Sequence, residues 1–285
     1  MIAARTFGIE LECHLPDRRT ARGLCGLIRR RAGVVAECEQ YNHQTRPHWK
    51  LTTDASLGPR SVEVVSPVLS GEEGIAEARR VVDAMREFGC RVSVRCGFHV
   101  HVYAGDMNAD QLRALAINFV HCETAFDAIV PPSRRRDLNQ YVLSNRTAFG
   151  GHYDNEAINR AVENYKLATD IPSLIQRVSG CGMPANTTRY RKLNMTSYNR
   201  YRTVEFRQHG GTVDADKVEN WVRVCVGFVE KCLRARPRQR PSQKPHDPSK
   251  ELSMLLTFVG AEPAVRRFYH ERRKMLAAAS LTAAE

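Results

Sequence analysis

Apolar residues recur along this chain with two periods, and the switches between them mark out its elements. In FGIELEC, Phe7, Ile9 and Leu11 alternate with Gly8, Glu10 and Glu12, the two-residue period of a strand with one buried face. A helix is expected over about 20–31, then short β-branched runs at 34–38, 49–54 and 61–69 predict consecutive strands, with Pro67 ending the last. From Glu72 to Phe88 the period changes, with Ile75, Ala78, Val81, Val82 and Met85 at helical spacing and Gly89 where a C-cap belongs. Residues 91–104 alternate again and predict a long strand, broken or bulged at Gly97.

Asn108 to about Ile129 reads as a long amphipathic helix closed by Pro131 and Pro132, and helical patterns follow at 155–168 and 171–178. KLNMTSYN and TVEFRQH predict a hairpin of strands, after which Asp214 is placed to N-cap a helix running through Trp221 toward Leu233. Strands and helices mix without strict alternation, which favours an α+β fold over a doubly wound one. Residues 236–250, RPRQRPSQKPHDPSK, hold four prolines and little to bury, so a basic linker is expected there. Two helices, about 250–260 and 263–279, come after it. The expected division is a core over 1–235, the linker over 236–250 and a helical appendage over 251–285, with the core able to fold without the rest.

Composition narrows the class. A chain of 285 residues with 42% hydrophobic residues can bury a substantial core. No apolar run approaches the roughly 20 residues that a membrane-spanning helix requires, and MIAARTFGIELE has no apolar leader core, so a cytoplasmic protein without membrane partners is expected. The nine cysteines are scattered and never spaced as CxxC, which fits a reducing compartment and argues against zinc. A net charge of +12 raises nucleic acid as a partner, but the charge is diffuse and only 7% of residues are aromatic, so nucleic acid is not the expected primary substrate.

The polar sides of four predicted strands carry an unusual set. Glu10 and Glu12 stand opposite Ile9 and Leu11; Glu63 lies between Val62 and Val64; His99 and His101 oppose Phe98, Val100 and Val102; and Glu205, Arg207 and His209 alternate with Val204 and Phe206. A solvated face explains any one such strand. Four together are different, because an indifferent face would mix in Thr, Lys, Gln and Ser. If the strands share a sheet, four carboxylates converge with two imidazoles and one guanidinium. Crowded carboxylates require protons or cations, and oxygen ligands with one or two imidazoles suit Mg²⁺ or Mn²⁺.

In their order, E-x-E on an early strand, Glu63 in EVVSP, G-x-H-x-H at 97–101 and E-F-R at 205–207 resemble the amidoligase family, carboxylate–amine ligases related to glutamine synthetase and glutamate–cysteine ligase. The likeness covers about residues 5–235. It implies a curved antiparallel sheet with helices on its outer face, holding ATP and Mg²⁺ (or Mn²⁺) through Glu10, Glu12, Glu63, one of His99 and His101, and Glu205. It implies that a substrate carboxylate is phosphorylated by ATP and that an amine then displaces phosphate to form an amide or isopeptide bond. Glu205 and Arg207 would be the catalytic pair, Arg207 facing the carboxylate or the phosphoryl group. Arg189, Arg191, Lys192 and Arg135, with Arg134 and Arg136 beside it, are candidate phosphate contacts, and Asp54 and Ser56 sit where related ligases carry a turn near the substrate. The substrates would be a small-molecule, peptide or protein carboxylate and an amine.

Two rivals stand beside this reading. Carboxylates with His also build two-metal phosphodiesterases and hydrolases, and the basic C-terminal helices could serve a non-catalytic nucleic-acid-binding or assembly protein. There is no GxxxxGK, and GCGMPA at 180–185 lacks the preceding strand of a dinucleotide site.

Overall fold

The computed structural model describes residues 4–53, 57–149, 154–180, 188–237 and 247–282. In chain order its elements are β1 (Thr6–His14), α1 (Ala21–Ala32), β2 (Ala36–Cys38), β3 (Trp49–Thr52), β4 (Ser61–Val65), β5 (Leu69–Ser70), α2 (Gly71–Glu87), β6 (Gly97–Tyr103) and α3 (Ala109–Asp127). They continue with α4 (Asn155–Lys166), α5 (Ile171–Gly180), β7 (Leu193–Asn194), α6 (Tyr198–Tyr201), β8 (Thr203–Gly210), α7 (Ala215–Cys232), α8 (Pro248–Phe258) and α9 (Pro263–Thr282). Helices and strands are mixed around an open, curved sheet, the α+β class expected. Among the described residues no helix is long and apolar enough to cross a membrane. By its contacts the chain divides into two units, Met1–Val102 with His209–Val226, and Tyr103–Gln208 with Gly227–Glu285.

In the first unit the strands lie in the order β2-β3-β4-β1-β6, with β5 also on β1. β1 shows strict alternation of half-buried and buried residues. Its buried side, Phe7, Ile9, Leu11 and Cys13, belongs to the core together with Val62 and Val64, Phe98 and Val100, and Leu24, Ile28, Val81, Val82 and Met85 of the helices. Trp49, fully buried, donates its indole N–H to Glu77 of α2 at 2.7 Å, which marks the helix-covered side of the sheet. The helices are well terminated. Thr20 caps α1, and Asp214 accepts from the backbone N–H of Asp216 and Lys217 at 3.0 and 3.2 Å, the expected N-cap of α7. Arg79 pairs with Asp216, and Arg223 pairs with Glu72, so ion pairs join α2 to α7.

The second unit gathers Phe119, Phe126, Phe206 and Phe228 into one aromatic cluster, with Phe258 of α8 against Phe228 at 5.5 Å. Leu252, Leu255 and Leu256 of α8 are buried, and Arg272 of α9 donates to the carbonyl of Ile129 at 2.8 Å. Residues on both sides of the proline-rich stretch therefore pack within one unit.

Several elements depart from expectation. β2 joins β3 in parallel, because residues 39–48 carry the chain from the end of β2 back to the starting end of its neighbour; β1 pairs antiparallel with β4, β5 and β6, as do β3 with β4 and β7 with β8. Residues 92–96 form a turn, not strand; Arg91 bridges to His14 of β1, and Ser93 Oγ and Cys96 Sγ lie 3.0 and 3.4 Å from His14 Nε2. KLNMTSYN supplies two strand residues and then α6, since Ser197 turns the chain by bonding to the carbonyl of Thr203 at 2.7 Å. The expected linker ends early, because Asp247 caps α8 and Pro248 opens it. Asp54, Ser56 and residues 181–185 lie outside the described residues.

Candidate functional site

In the first unit the pairing register fixes which polar side chains become neighbours. Glu10 pairs with His99 across β1 and β6, Glu12 pairs with Glu63 across β1 and β4, Gly8 with His101, and Thr52 with Glu63 across β3. Paired residues point to the same side of a sheet, so Glu10, Glu12, Glu63, His99 and His101 share the face away from the core, as their alternation predicts. One donor atom from each of Glu10, Glu63 and His99 lies within 4.8 Å of the others. Two carboxylates and an imidazole at such spacing fit one hard divalent cation.

The groups hold one another even so. His99 Nδ1 stands 3.1 Å from Glu10 Oε2, and His101 Nε2 stands 3.3 Å from Glu10 Oε1, so one carboxylate bridges both imidazoles. Burial works against the charge of Glu10, yet the imidazoles of His101 and His99 hold its carboxyl well below the usual carboxylate range. Glu12 Oε2 accepts the backbone N–H of Gly97 at 2.6 Å. A Cβ on Gly97 would come within 2.6 Å of His99 Nε2, so only glycine leaves this imidazole its place. Gly211 is constrained more tightly, because a Cβ there would meet Cys96 Cβ at 2.5 Å and the carbonyl of Glu12 at 3.1 Å.

Two further residues of this face carry the same alternation signal in WKLTTD and were not singled out from sequence. Thr52 donates to Glu63 Oε2 at 3.4 Å. Lys50, next to it on the same side, is buried, and burial draws its ammonium below the ordinary lysine value against the pull of Glu39, Glu63 and Glu10.

In the second unit Glu205 is 3% exposed and accepts from Asn194 Nδ2 at 2.6 Å and from Arg207 Nη1 at 2.5 Å. The register pairs Asn194 with Glu205, which is why the amide reaches the acid. The Arg207 guanidinium also lies over the Tyr190 ring, 5.9 Å from its centroid. Glu205 and Arg207 thus form a buried ion pair, i to i+2 on one strand face. His209, expected in the same row, instead packs its ring against Phe98 and Trp221 at 5.3 and 5.1 Å.

Of the expected phosphate contacts, Lys192 is held in an internal ion pair. Its side chain is fully buried, and its ammonium bonds Glu123 at 2.9 Å and Asp127 at 2.7 Å. Gln208 also donates to Asp127, and Arg146, wholly buried, donates to the carbonyl of Val120 at 2.6 Å. This is an internal network that α3 shares with the strands. Glu123 ionises readily in it: burial opposes the charge, but Lys192 and Arg146 outweigh burial. Arg191 is buried and donates to the carbonyl of Ser144 at 2.9 Å, which ties down a loop. Arg135, half-buried, donates to the carbonyl of Val130 at 2.9 Å, and Arg189 is exposed beside the Tyr190 ring at 5.4 Å.

Among solved structures, one described as "Crystal structure of novel glutamine synthase homolog" is similar over 97% of this chain and 67% of its own, at 13% identity and a TM-score of 0.45. A search of curated proteins finds no match. The family described as "Putative amidoligase enzyme" matches residues 3–229, most of the chain. The protein belongs to that amidoligase family.

Proposed function

We propose that the protein is an ATP-dependent carboxylate–amine ligase. The observation that carries this reading is the donor trio of Glu10, Glu63 and His99 within 4.8 Å, in a member of the amidoligase family. On this reading Glu10, Glu12, Glu63 and one of His99 and His101 hold Mg²⁺ or Mn²⁺, and the bridging of Glu10 to both imidazoles keeps that carboxylate ionised and aimed before the cation arrives. Bound there, the metal ions would neutralise charge on the phosphates of ATP, which repel the carboxylates otherwise.

The reaction proposed is the family's. A substrate carboxylate oxygen attacks the γ-phosphorus and ADP leaves; an amine then attacks the acyl carbon, loses a proton, and phosphate departs with the amide bond formed. The family resemblance gives Glu205 and Arg207 to the same chemistry. Their buried pairing means that Arg207 reaches an anionic group only if it divides its N–H groups between that group and Glu205, and a guanidinium has five to divide. Arg189 and Arg136, both exposed, and the half-buried Arg135 are the more available cations of the expected phosphate set, since Arg134 and Arg191 are buried and Lys192 is committed to Glu123 and Asp127.

The test is amine-dependent release of ADP across a panel of carboxylic acids, amino acids and peptides, together with calorimetry of ATP binding. ATP affinity should collapse when EDTA replaces Mg²⁺, and Glu10→Gln should weaken it while the melt stays cooperative. Equal ATP affinity with and without metal would remove the reading, and phosphodiester cleavage without ATP would favour a two-metal hydrolase.

A further inference from the structure

Residues 39–48, between β2 and β3, form neither helix nor strand, so ordering this backbone costs conformational entropy that other contacts must offset. Two charged side chains organise this segment from opposite directions. Glu39 collects donors: Arg46 Nε at 3.1 and 3.0 Å from its two oxygens, Asn42 Nδ2 at 2.8 Å, and His48 Nε2 at 2.9 Å. Lys50 collects acceptors: the carbonyl of Asn42 at 3.0 Å, Asn42 Oδ1 at 3.1 Å and the carbonyl of Gln44 at 2.9 Å. An ammonium has three N–H groups, and these three contacts use them. Asn42 joins the two hubs, its amide nitrogen on Glu39 and its oxygens on Lys50. The segment so held borders a cavity of about 580 Å³ lined by Glu37, Tyr41, Arg46 and His48, among others.

The position of Lys50 is as informative as its bonds. The register runs Glu37, Lys50, Val65, Glu10, His99 straight across β2, β3, β4, β1 and β6. Lys50 therefore belongs to the row that contains two of the proposed metal ligands. It is two strand spacings from Glu10, about 10 Å, and is itself only 5% exposed.

We propose that Lys50 is a positioning residue with two separable roles, resting on the ligase reading above. It clamps residues 39–48 beside the carboxylate face, and its fixed positive charge opposes a bare divalent cation at Glu10 and Glu63. The face is thereby biased toward metal that arrives with the anionic phosphates of a nucleotide, whose charge offsets the ammonium. A lysine that merely fills space and ties down a loop would perform the first role without the second.

The two roles are read on the full chain by chymotryptic cleavage after Tyr41, which is 55% exposed, and by calorimetry of Mn²⁺ with and without a non-hydrolysable ATP analogue. Lys50→Met should speed cleavage about tenfold or more and tighten bare Mn²⁺ about threefold or more, the size expected for a +1 and a +2 charge about 10 Å apart at high dielectric. The gain should shrink when the analogue is present. Asn42→Ala removes one clamp acceptor, Oδ1, and the amide donor to Glu39 while leaving the Lys50 charge, so it should speed cleavage and leave Mn²⁺ affinity unchanged. Lys50→Arg keeps the charge and should bind Mn²⁺ as wild type does. If Lys50→Met does not melt cooperatively, Lys50→Gln takes its place, with the same expectations.

Unchanged cleavage in both the Lys50 and Asn42 variants overturns the clamp. Unchanged or weaker Mn²⁺ binding in a folded, neutral Lys50 variant overturns the charge role. If wild type binds no Mn²⁺, the ligase reading and the charge role fall together, and cleavage alone decides the clamp.

Discussion

At the scale of single residues, Gly97 and Lys192 show how a side chain's surroundings set what its loss would do. Gly97→Ala places a methyl against the far end of the His99 side chain, which can swing away at small steric cost. We expect a melting temperature close to that of wild type and Mn²⁺ affinity lower by about tenfold or more, the size associated with disturbing a ligand's supporting contacts. Calorimetry beside a thermal melt checks this, and unimpaired Mn²⁺ binding would remove His99 from the ligand set. Lys192→Met should behave in the opposite way. It leaves Glu123 and Asp127 buried without their cation, a loss of about 3–5 kcal/mol in urea denaturation. Stability near that of wild type with ATP binding abolished would return Lys192 to the phosphate contacts expected from its place in the sequence. The sequence shows a lysine after two arginines; it does not show that α3 brings Glu123 and Asp127 to the same point.

At the scale of elements, the periodic segments were legible and the irregular ones were not. α2 and α3 begin and end close to where spacing and capping residues put them, because helical bonds are local and Asn108 and Gly89 act on their own neighbours. β6 starts only at Gly97, since the turn at 92–96 is set by contacts with β1 that alternation cannot announce. The segment 39–48 is organised by charge, and this gives it a pH dependence. Burial favours the neutral form of Glu39, but bonds from His48, Asn42 and Arg46 prevail and lower its pKa from 4.5 to about 2. A carboxyl depressed in this way contributes stability that is complete above its ordinary value and is lost as pH falls through the depressed one. Wild type should therefore melt above Glu39→Gln near neutral pH, and the gap should narrow as pH drops below about 4.5 toward about 2. A gap that is constant with pH would show that Glu39 acts by shape alone.

At the scale of the whole molecule, the C-terminal helices bear on how the chain can be cut. Leu252, Leu255 and Leu256 are buried within the second unit, and fully burying one such side chain contributes about 1.5–3 kcal/mol. Deleting residues 237–285 should therefore yield a chain that aggregates or melts without cooperativity, as static light scattering and calorimetry would show. The linker's composition alone supports the reverse expectation, a core that folds without the appendage. A soluble, cooperatively melting truncation would restore that view and make α8 and α9 accessory.

The sequence by itself determined the two periods, and with them the faces. Glu10, Glu12, Glu63, His99 and His101 fall on one side of their strands because side chains alternate with every residue, a constraint that needs no partner strand. The order of those residues also carried the family. Tertiary structure alone decided the register, and the register decides who meets whom: Glu10 with His99, Glu12 with Glu63, and Lys50 in the row of Glu10. It also withdrew His209 into contact with Phe98 and Trp221 and enclosed Lys192 between two acids. Period is a property of consecutive residues, whereas register, burial and ion pairing depend on segments far apart in the chain, and no local pattern encodes which of them meet.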